Sequence, residues 1–480
     1  MNKHLTRYLL AAGLLVASSG TAWAIKASPK PITVKQPDGT TLVIRVHGDE
    51  NFHYITTTDG FLIQRDKDGY FKYVQTDASQ GTRKLTARRA LNADKRSAAD
   101  NQFLSTLRPI RKEADAEWLK SLRGNVQPMT VGQTLPASVR SRKVDAQTGE
   151  AKESEYLVVL VKYADGEFHF TDGDFDAWLN EKGYSKNGGT GSVKDYYRDN
   201  SMGQFVPNFT VVGPYTLDHE RTYYAADLGG TGNDVNPQAL VIEAAQKAKA
   251  DHPEIDFSKF DNDGDGYMDN INVVIGGYSQ ASSGDDKDMW PHSYRLKTSD
   301  EDLSIEIDGI RVNNYSVSAE LVGASGINMD GIGTFTHEFG HILGLKDMYD
   351  TDDYDGGIGI DPGAYSLYAS GSYNNNSRTP AALMTFERMQ MGWIKKEDLH
   401  QLSQAEDVTL PIMTSNTAAY VDARPGLSDD EGYEWYVFEN RQKTGWDSYI
   451  PYHGLLIYHL DYTKSMVDKY WSVNGPNNNA

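Results

Sequence analysis

The chain of 480 residues contains no cysteine. That absence excludes disulfides, a thiol nucleophile and thiolate metal ligands. It also excludes latency through a cysteine that covers a metal. An exported chain of this composition must be held together by core burial or bound ions. Beyond the N-terminus, no apolar run is long enough to span a bilayer. Positive charge is scarce: 47 Lys and Arg stand against 67 Asp and Glu, a formal net charge of −20. Such a surface repels phosphate backbones and argues against a nucleic-acid partner. No internal repeat is visible.

Residues 1–24 read as a signal peptide. Lys3 and Arg7 give a positive start, an apolar run follows from Tyr8 to Val16, and Ala22-Trp23-Ala24 is a small-x-small cleavage site. The expected location is therefore extracellular or periplasmic, with no integral membrane segment after signal removal. Residues 25–115 read as a small β-rich unit, with strands at 41–46 and 54–57 and turns at Asp38-Gly39, Asp59-Gly60 and Asp68-Gly69. Residues 116–152 are polar and aperiodic, carry Arg140, Arg142 and Lys143, and read as an exposed linker. A larger unit, 153–400, opens on the continuous apolar run 156–161, typical of a buried strand. A capped helix start at 191–197, a helix at 239–250 and a buried strand at 271–275 follow. Residues 401–480 turn to strands again, at 434–439 and 454–460, and are expected to be an incomplete part.

The densest information lies in Thr336-His337-Glu338-Phe339-Gly340-His341-Ile342-Leu343-Gly344-Leu345-Lys346-Asp347. Two histidines four apart on a helix point the same way, so their imidazoles can grip one zinc ion. A glutamate beside the first can reach a water on that metal and act as its base. Gly344 can end the helix in a left-handed turn, which would swing Asp347 back toward the metal. Ile332, Phe335, Phe339, Ile342 and Leu343 form one apolar stripe, with His337, Glu338 and His341 off it. Asp330 and Gly331 stand where a cap belongs. The third ligand stays open between Asp347 and a distant carboxylate, Glu387 or Glu439.

A second constellation occupies 261–269. Asp261, Asp263, Asp265 and Asp269 take loop positions one, three, five and nine, Gly266 takes position six, and Tyr267 stands at position seven. This is calcium-loop spacing. Position twelve is Asn272, inside an expected strand, so a structural site is expected and not a sensor.

In the combination of Gly191-Ser192-Val193-Lys194-Asp195-Tyr196-Tyr197, the acidic loop, Trp290-Pro291-His292, the zinc motif and Glu439-Asn440-Arg441-Gln442, the chain resembles the secreted bacterial immune inhibitor A-like metalloproteases, related to the metzincins. The resemblance implies an α/β fold: a twisted mixed sheet, a backing helix and the active-site helix, preceded by a propeptide-like unit at 25–115. It implies zinc on His337 and His341, Glu338 as general base and Asp347 in the third-ligand position. One departure is clear. In Tyr365-Ser366-Leu367-Tyr368-Ala369-Ser370-Gly371, Tyr368 stands where such proteases carry a methionine beneath the zinc. Its ring could pack under the ligands, or its hydroxyl could bond to one. Tyr373 is a candidate donor to a developing oxyanion. The expectation is a secreted zinc endopeptidase acting on proteins or peptides, made as a zymogen, with structural calcium. The rival expectations are a catalytically weakened binding protein and a zinc amidase of cell wall or glycoprotein.

Overall fold

The computed structural model describes residues 23–50, 52–77, 82–110, 153–227, 233–298, 301–349, 361–402, 407–412, 418–425 and 432–462. The signal segment up to residue 22, the 116–152 linker and the stretch beyond 462 lie outside them.

A two-residue strand, β1 (Trp23–Ala24), comes first. Then β2 (Ile32–Lys35), β3 (Thr41–Gly48), β4 (His53–Thr57), β5 (Leu62–Arg65), β6 (Phe71–Asp77) and β7 (Thr82–Arg89) form an antiparallel meander in sequence order. Strict alternation decides its faces. Ile32, Val34, Leu42, Ile44 and Val46 turn inward, while their neighbours are exposed or half-buried. Helix α1 (Ala98–Leu104) follows, capped by Ser97, whose hydroxyl accepts from Asp100 while the Asp100 carboxylate accepts from Ser97.

The larger sheet contains β8 (Ser154–Lys162), β9 (Pro207–Thr216), β10 (Ile271–Tyr278), β11 (His292–Arg295) and, after the hairpin β12 (Ile305–Ile307) and β13 (Ile310–Val312), β14 (Asn314–Leu321). Its order is β1-β11-β14-β10-β8-β9. The four strands β9, β8, β10 and β14 run parallel; β11 is added antiparallel at one edge, and β1 pairs antiparallel with β11 beyond it. Parallel strands are covered on both faces, which is why 156–161 and 271–275 are unbroken apolar runs. Tyr156, Val158 and Leu160 face α2 (Asp172–Asn180) and α3 (Val193–Asn200). Leu157, Val159 and Val161 face α4 (Pro237–Asp251).

Helix α5 (Ile332–Leu343) lies on the first face. Phe335 packs 5.3 Å from Trp178, and Phe339 4.7 Å from Tyr156, centroid to centroid. One expectation about this helix needs correction: Ile342 is only half-buried, because after the turn at Gly344 it is Leu345 that drops into the core. The histidine face is covered, with β1 and residues 25–28 across it. The N-cap is Gly331, with no side-chain cap, and Asp330 Oδ1 accepts the Gly331 N–H instead. After α6 (Thr385–Gln390), the strands β15 (His400–Gln401), β16 (Ala418–Asp422), β17 (Tyr433–Arg441) and β18 (Gly454–Tyr462) form a four-stranded sheet. Its Trp435, Val437 and Leu460 belong to the same apolar cluster as α5.

Candidate metal centre

Gly344 ends α5 at φ 104°, a conformation that side chains with a Cβ resist. The turn carries the Leu345 carbonyl to within 2.9 Å of His341 Nδ1. His337 Nδ1 lies 2.9 Å from the Leu367 carbonyl. Carbonyls only accept, so both Nδ1 atoms are the protonated ones and both Nε2 atoms carry lone pairs. Those Nε2 atoms are 3.0 Å apart. Asp347 Oδ1 stands 3.3 Å from one and 3.4 Å from the other. All three side chains are buried, and Asp347 Oδ1 has no hydrogen-bond partner. Three electron-pair donors that converge without a proton among them are a cradle for a cation, and two imidazoles with one carboxylate suit zinc.

The distant carboxylates are engaged elsewhere. Glu387 bonds to the Ser366 hydroxyl and, at 2.6 Å, to the Met384 N–H. Glu439 accepts from the Thr385 N–H at 2.7 Å and from Tyr458 at 2.9 Å. Neither joins the His337, His341, Asp347 group.

Glu338 points into the same space. Its Oε1 accepts the Ile25 N–H at 2.8 Å, and its Oε2 lies 3.1 Å from the Ser293 hydroxyl. Burial, with Asp347 adding to it against the pull of His337, pushes its carboxyl up to about 8. A second carboxylate comes from the N-terminal sheet. Glu50 is buried, and burial together with Asp49, Asp347 and Glu338 raises it well above its ordinary value. Sequence reasoning gave no role to Ile25, Glu50 or Ser293. Only Trp290-Pro291-His292 was visible as a motif. In it, His292 is structural: burial lowers it to about 4, with Nδ1 2.7 Å from the Trp290 carbonyl.

Tyr368 lies beneath the histidines, 4.9 Å from the His337 ring and 5.1 Å from the His341 ring. Its hydroxyl donates to the His337 carbonyl at 3.3 Å. The space it needs exists because residue 340 is glycine: a Cβ there would sit 1.5 Å from the Tyr368 oxygen. Tyr368 therefore bonds to a ligand's backbone and not to its ring. The oxygen of Tyr373 is already engaged, donating to the Lys26 carbonyl at 2.6 Å.

The turn that carries Leu367 is fixed from the C-terminal sheet. Arg441 pairs with Asp447 at 2.6 Å and Glu439 at 3.2 Å, and donates to the carbonyls of Tyr365 at 3.2 Å and Ala382 at 3.1 Å. All three charged side chains are buried.

In the acidic loop, Asp261, Asp263 and Asp265 bring carboxylate oxygens within 4.8 Å of one another. Burial, with Asp263 and Asp261, raises the Asp265 carboxyl. Asp269 does not join them. Asp269 Oδ2 accepts from Asn262 at 2.7 Å, because the chain there already turns into β10.

Residues 162–397 match the immune inhibitor A peptidase M6 catalytic domain. The matched segment belongs to the immune inhibitor A peptidase family. The chain is similar to immune inhibitor A of Bacillus thuringiensis subsp. alesti, 28% identical over 284 residues, 50% of this chain and 39% of that protein. It is also similar to the pre-pro-metalloprotease PrtV of Vibrio cholerae serotype O1 (strain M66-2), 25% identical over 222 residues, 41% of this chain and 23% of that one. The chain thus spans well under half the length of these relatives. Family membership and the mixed sheet make the catalytic segment metzincin-like, with a buried His–His–Asp cluster suited to a metal. Among the described residues no helix is long and apolar enough to cross a membrane.

Proposed function

We propose that this chain is a secreted zinc endopeptidase that hydrolyses peptide bonds of proteins and is made as a latent precursor. The convergence of His337 Nε2, His341 Nε2 and Asp347 Oδ1 beside Glu338 carries the proposal. Those three residues would hold the zinc. When bound, zinc supplies Lewis acidity to a peptide carbonyl and lowers the pKa of water toward neutrality. Glu338 takes a proton from the attacking water and hands it to the leaving amine. The hydroxyl goes to the carbonyl carbon, the hydrogen to the nitrogen, and the C–N bond breaks. Ser293 holds Glu338 in place, its hydroxyl donating to the Glu338 carbonyl at 2.6 Å with the side-chain Oε2 3.1 Å away.

Latency is supported by what lies against the base. The Ile25 N–H occupies Glu338 Oε1, and Glu50 fills buried space nearby. Cutting after Ala24, as the small-x-small pattern suggests, would turn the Ile25 nitrogen into the chain's amino terminus. Removing the 25–115 unit by a nick in the basic linker would then free the base. Asp261, Asp263 and Asp265 would hold a structural calcium ion on the shoulder of β10. Export through the signal peptide, to the periplasm or beyond the cell, belongs to the same proposal.

The test is a pair of variants. Glu338→Ala should lower casein hydrolysis by about two to four orders of magnitude, since the proton-transfer role is lost. It should keep its zinc by metal analysis, whereas His337→Ala should lose it. Near-normal proteolysis by Glu338→Ala would sink the mechanism.

A further inference from the structure

Residues 23–26 lie across the metal centre as a peptide would. Trp23 and Ala24 pair antiparallel with the edge strand β11, opposite Ser293 and His292. The next N–H, that of Ile25, donates to Glu338 Oε1 at 2.8 Å. The Ile25 carbonyl accepts from the Trp290 indole at 2.8 Å. The Lys26 carbonyl accepts from the Tyr373 hydroxyl at 2.6 Å. The Lys26 ammonium pairs with Asp361 at 3.1 Å and stands 5.4 Å from the centroid of the Tyr349 ring.

This arrangement gives the register of a substrate, resting on the peptidase mechanism proposed above. In that mechanism Glu338 delivers a proton to the leaving nitrogen. The nitrogen on Glu338 here is that of Ile25, so Ile25 stands where the first residue after the cut would stand, and Lys26 where the second would. Trp290 and Tyr373 grip two successive carbonyls, which every peptide has, so they position the backbone without reading sequence. Asp361 and Tyr349 touch a side chain, and both lie within the matched catalytic segment 162–397. They therefore stay with the enzyme when the N-terminal unit leaves.

We propose that Asp361 and Tyr349 form a subsite for a basic side chain at the second residue after the cut, with Trp290 and Tyr373 as carbonyl clamps beside it. The Lys26 and Asp361 side chains are 31% and 20% exposed, so the pair is partly withdrawn from solvent. A carboxylate and an aromatic face together select a cation and repel an acid.

The experiment uses the full chain nicked in the 116–152 linker and two synthetic peptides spanning residues 21–30. One has the native Lys26 and the other has glutamate in its place. The native peptide should be cut between Ala24 and Ile25 with a kcat/KM about fivefold higher or more, mainly through KM, because the subsite binds ground state and transition state alike. Asp361→Lys should invert that preference. Tyr349→Leu, which removes only the ring face, should narrow it by about two- to threefold. An Asp361→Lys enzyme with the unaltered ratio overturns the subsite. An enzyme that digests casein but cuts neither peptide at Ala24–Ile25 overturns the register, and with it the subsite. One that also leaves casein intact overturns the peptidase proposal beneath both.

Discussion

Replacing Arg441 by methionine tests how the turn beneath the histidines is held. The guanidinium is buried among Glu439, Asp447 and the carbonyls of Tyr365 and Ala382. Methionine fills similar volume but removes every donor, leaving two buried carboxylates without their cation. Breaking one side of a buried ion pair costs about 3–5 kcal/mol. In a folded unit of this size each kcal/mol moves the melting temperature by about 2–4 °C, so a drop of about 6–20 °C is expected. The loss should also reach the metal. Tyr365 begins the turn whose Leu367 carbonyl fixes His337, so cobalt substituted for zinc should leave faster to a chelator and show an altered visible spectrum. Calorimetry and chelator competition read the two effects. The triple variant with Glu439→Gln and Asp447→Asn, which removes the stranded charges, should regain most of the stability. If Arg441→Met melts within about 2 °C of the unaltered chain, the network does not hold the turn.

Removing calcium should lower the melting temperature, since an ion at a hundred times its Kd adds about 2.7 kcal/mol, and Asp263→Ala with Asp265→Ala should make melting indifferent to it. A chain that melts alike with calcium and with chelator would reject the loop as a site. Gly340→Ala should destabilise by about 1–3 kcal/mol, because its Cβ meets the Tyr368 oxygen, and the cost should shrink in a Tyr368→Phe background. Equal costs in both backgrounds would place the strain elsewhere. Asp330 is raised by burial to about 7, so the folded state holds a proton that the unfolded state releases near 3.8. Ionisation in the fold is thus the costly step, and stability relative to Asp330→Asn should fall as pH rises from about 4 to about 7, then level off. A pH-independent gap between the two melting curves would refute this. Cleavage between 116 and 152 should raise activity on casein, and an uncleaved chain as active as the nicked one would make the N-terminal sheet an accessory domain.

The local geometry of the centre was legible because it is written in short spacings. The four-residue step between His337 and His341 fixed the convergence of two rings, and Gly344 fixed the end of α5. Buried strands announced themselves as apolar runs at 156–161 and 271–275. What stayed hidden is what depends on distant partners. Nothing near Ile25 says that its N–H will meet a carboxylate 313 positions later. Glu50 reads as one more acid in an acidic chain. Glu439 and Arg441 were visible as a motif, but their work under the Tyr365 turn depends on how β17 docks. The bond from the Tyr373 hydroxyl to a carbonyl of the far N-terminus was hidden for the same reason. Ile342 followed the helical period, yet the turn after it gave its core place to Leu345.

The apolar face of the N-terminal sheet also has a schedule. Its Ile44, Val46 and Ile55 close against Gly284, and the same cluster takes in Ala281, Trp290 and Tyr373. A ribosome adds roughly 5–20 residues per second, so Trp290 emerges about 10–40 seconds after β7 is finished. Throughout that interval the sheet is made but its cover is not. Any cell that produces this chain must hold a greasy half-domain from aggregating for tens of seconds, or move it across the membrane before it folds.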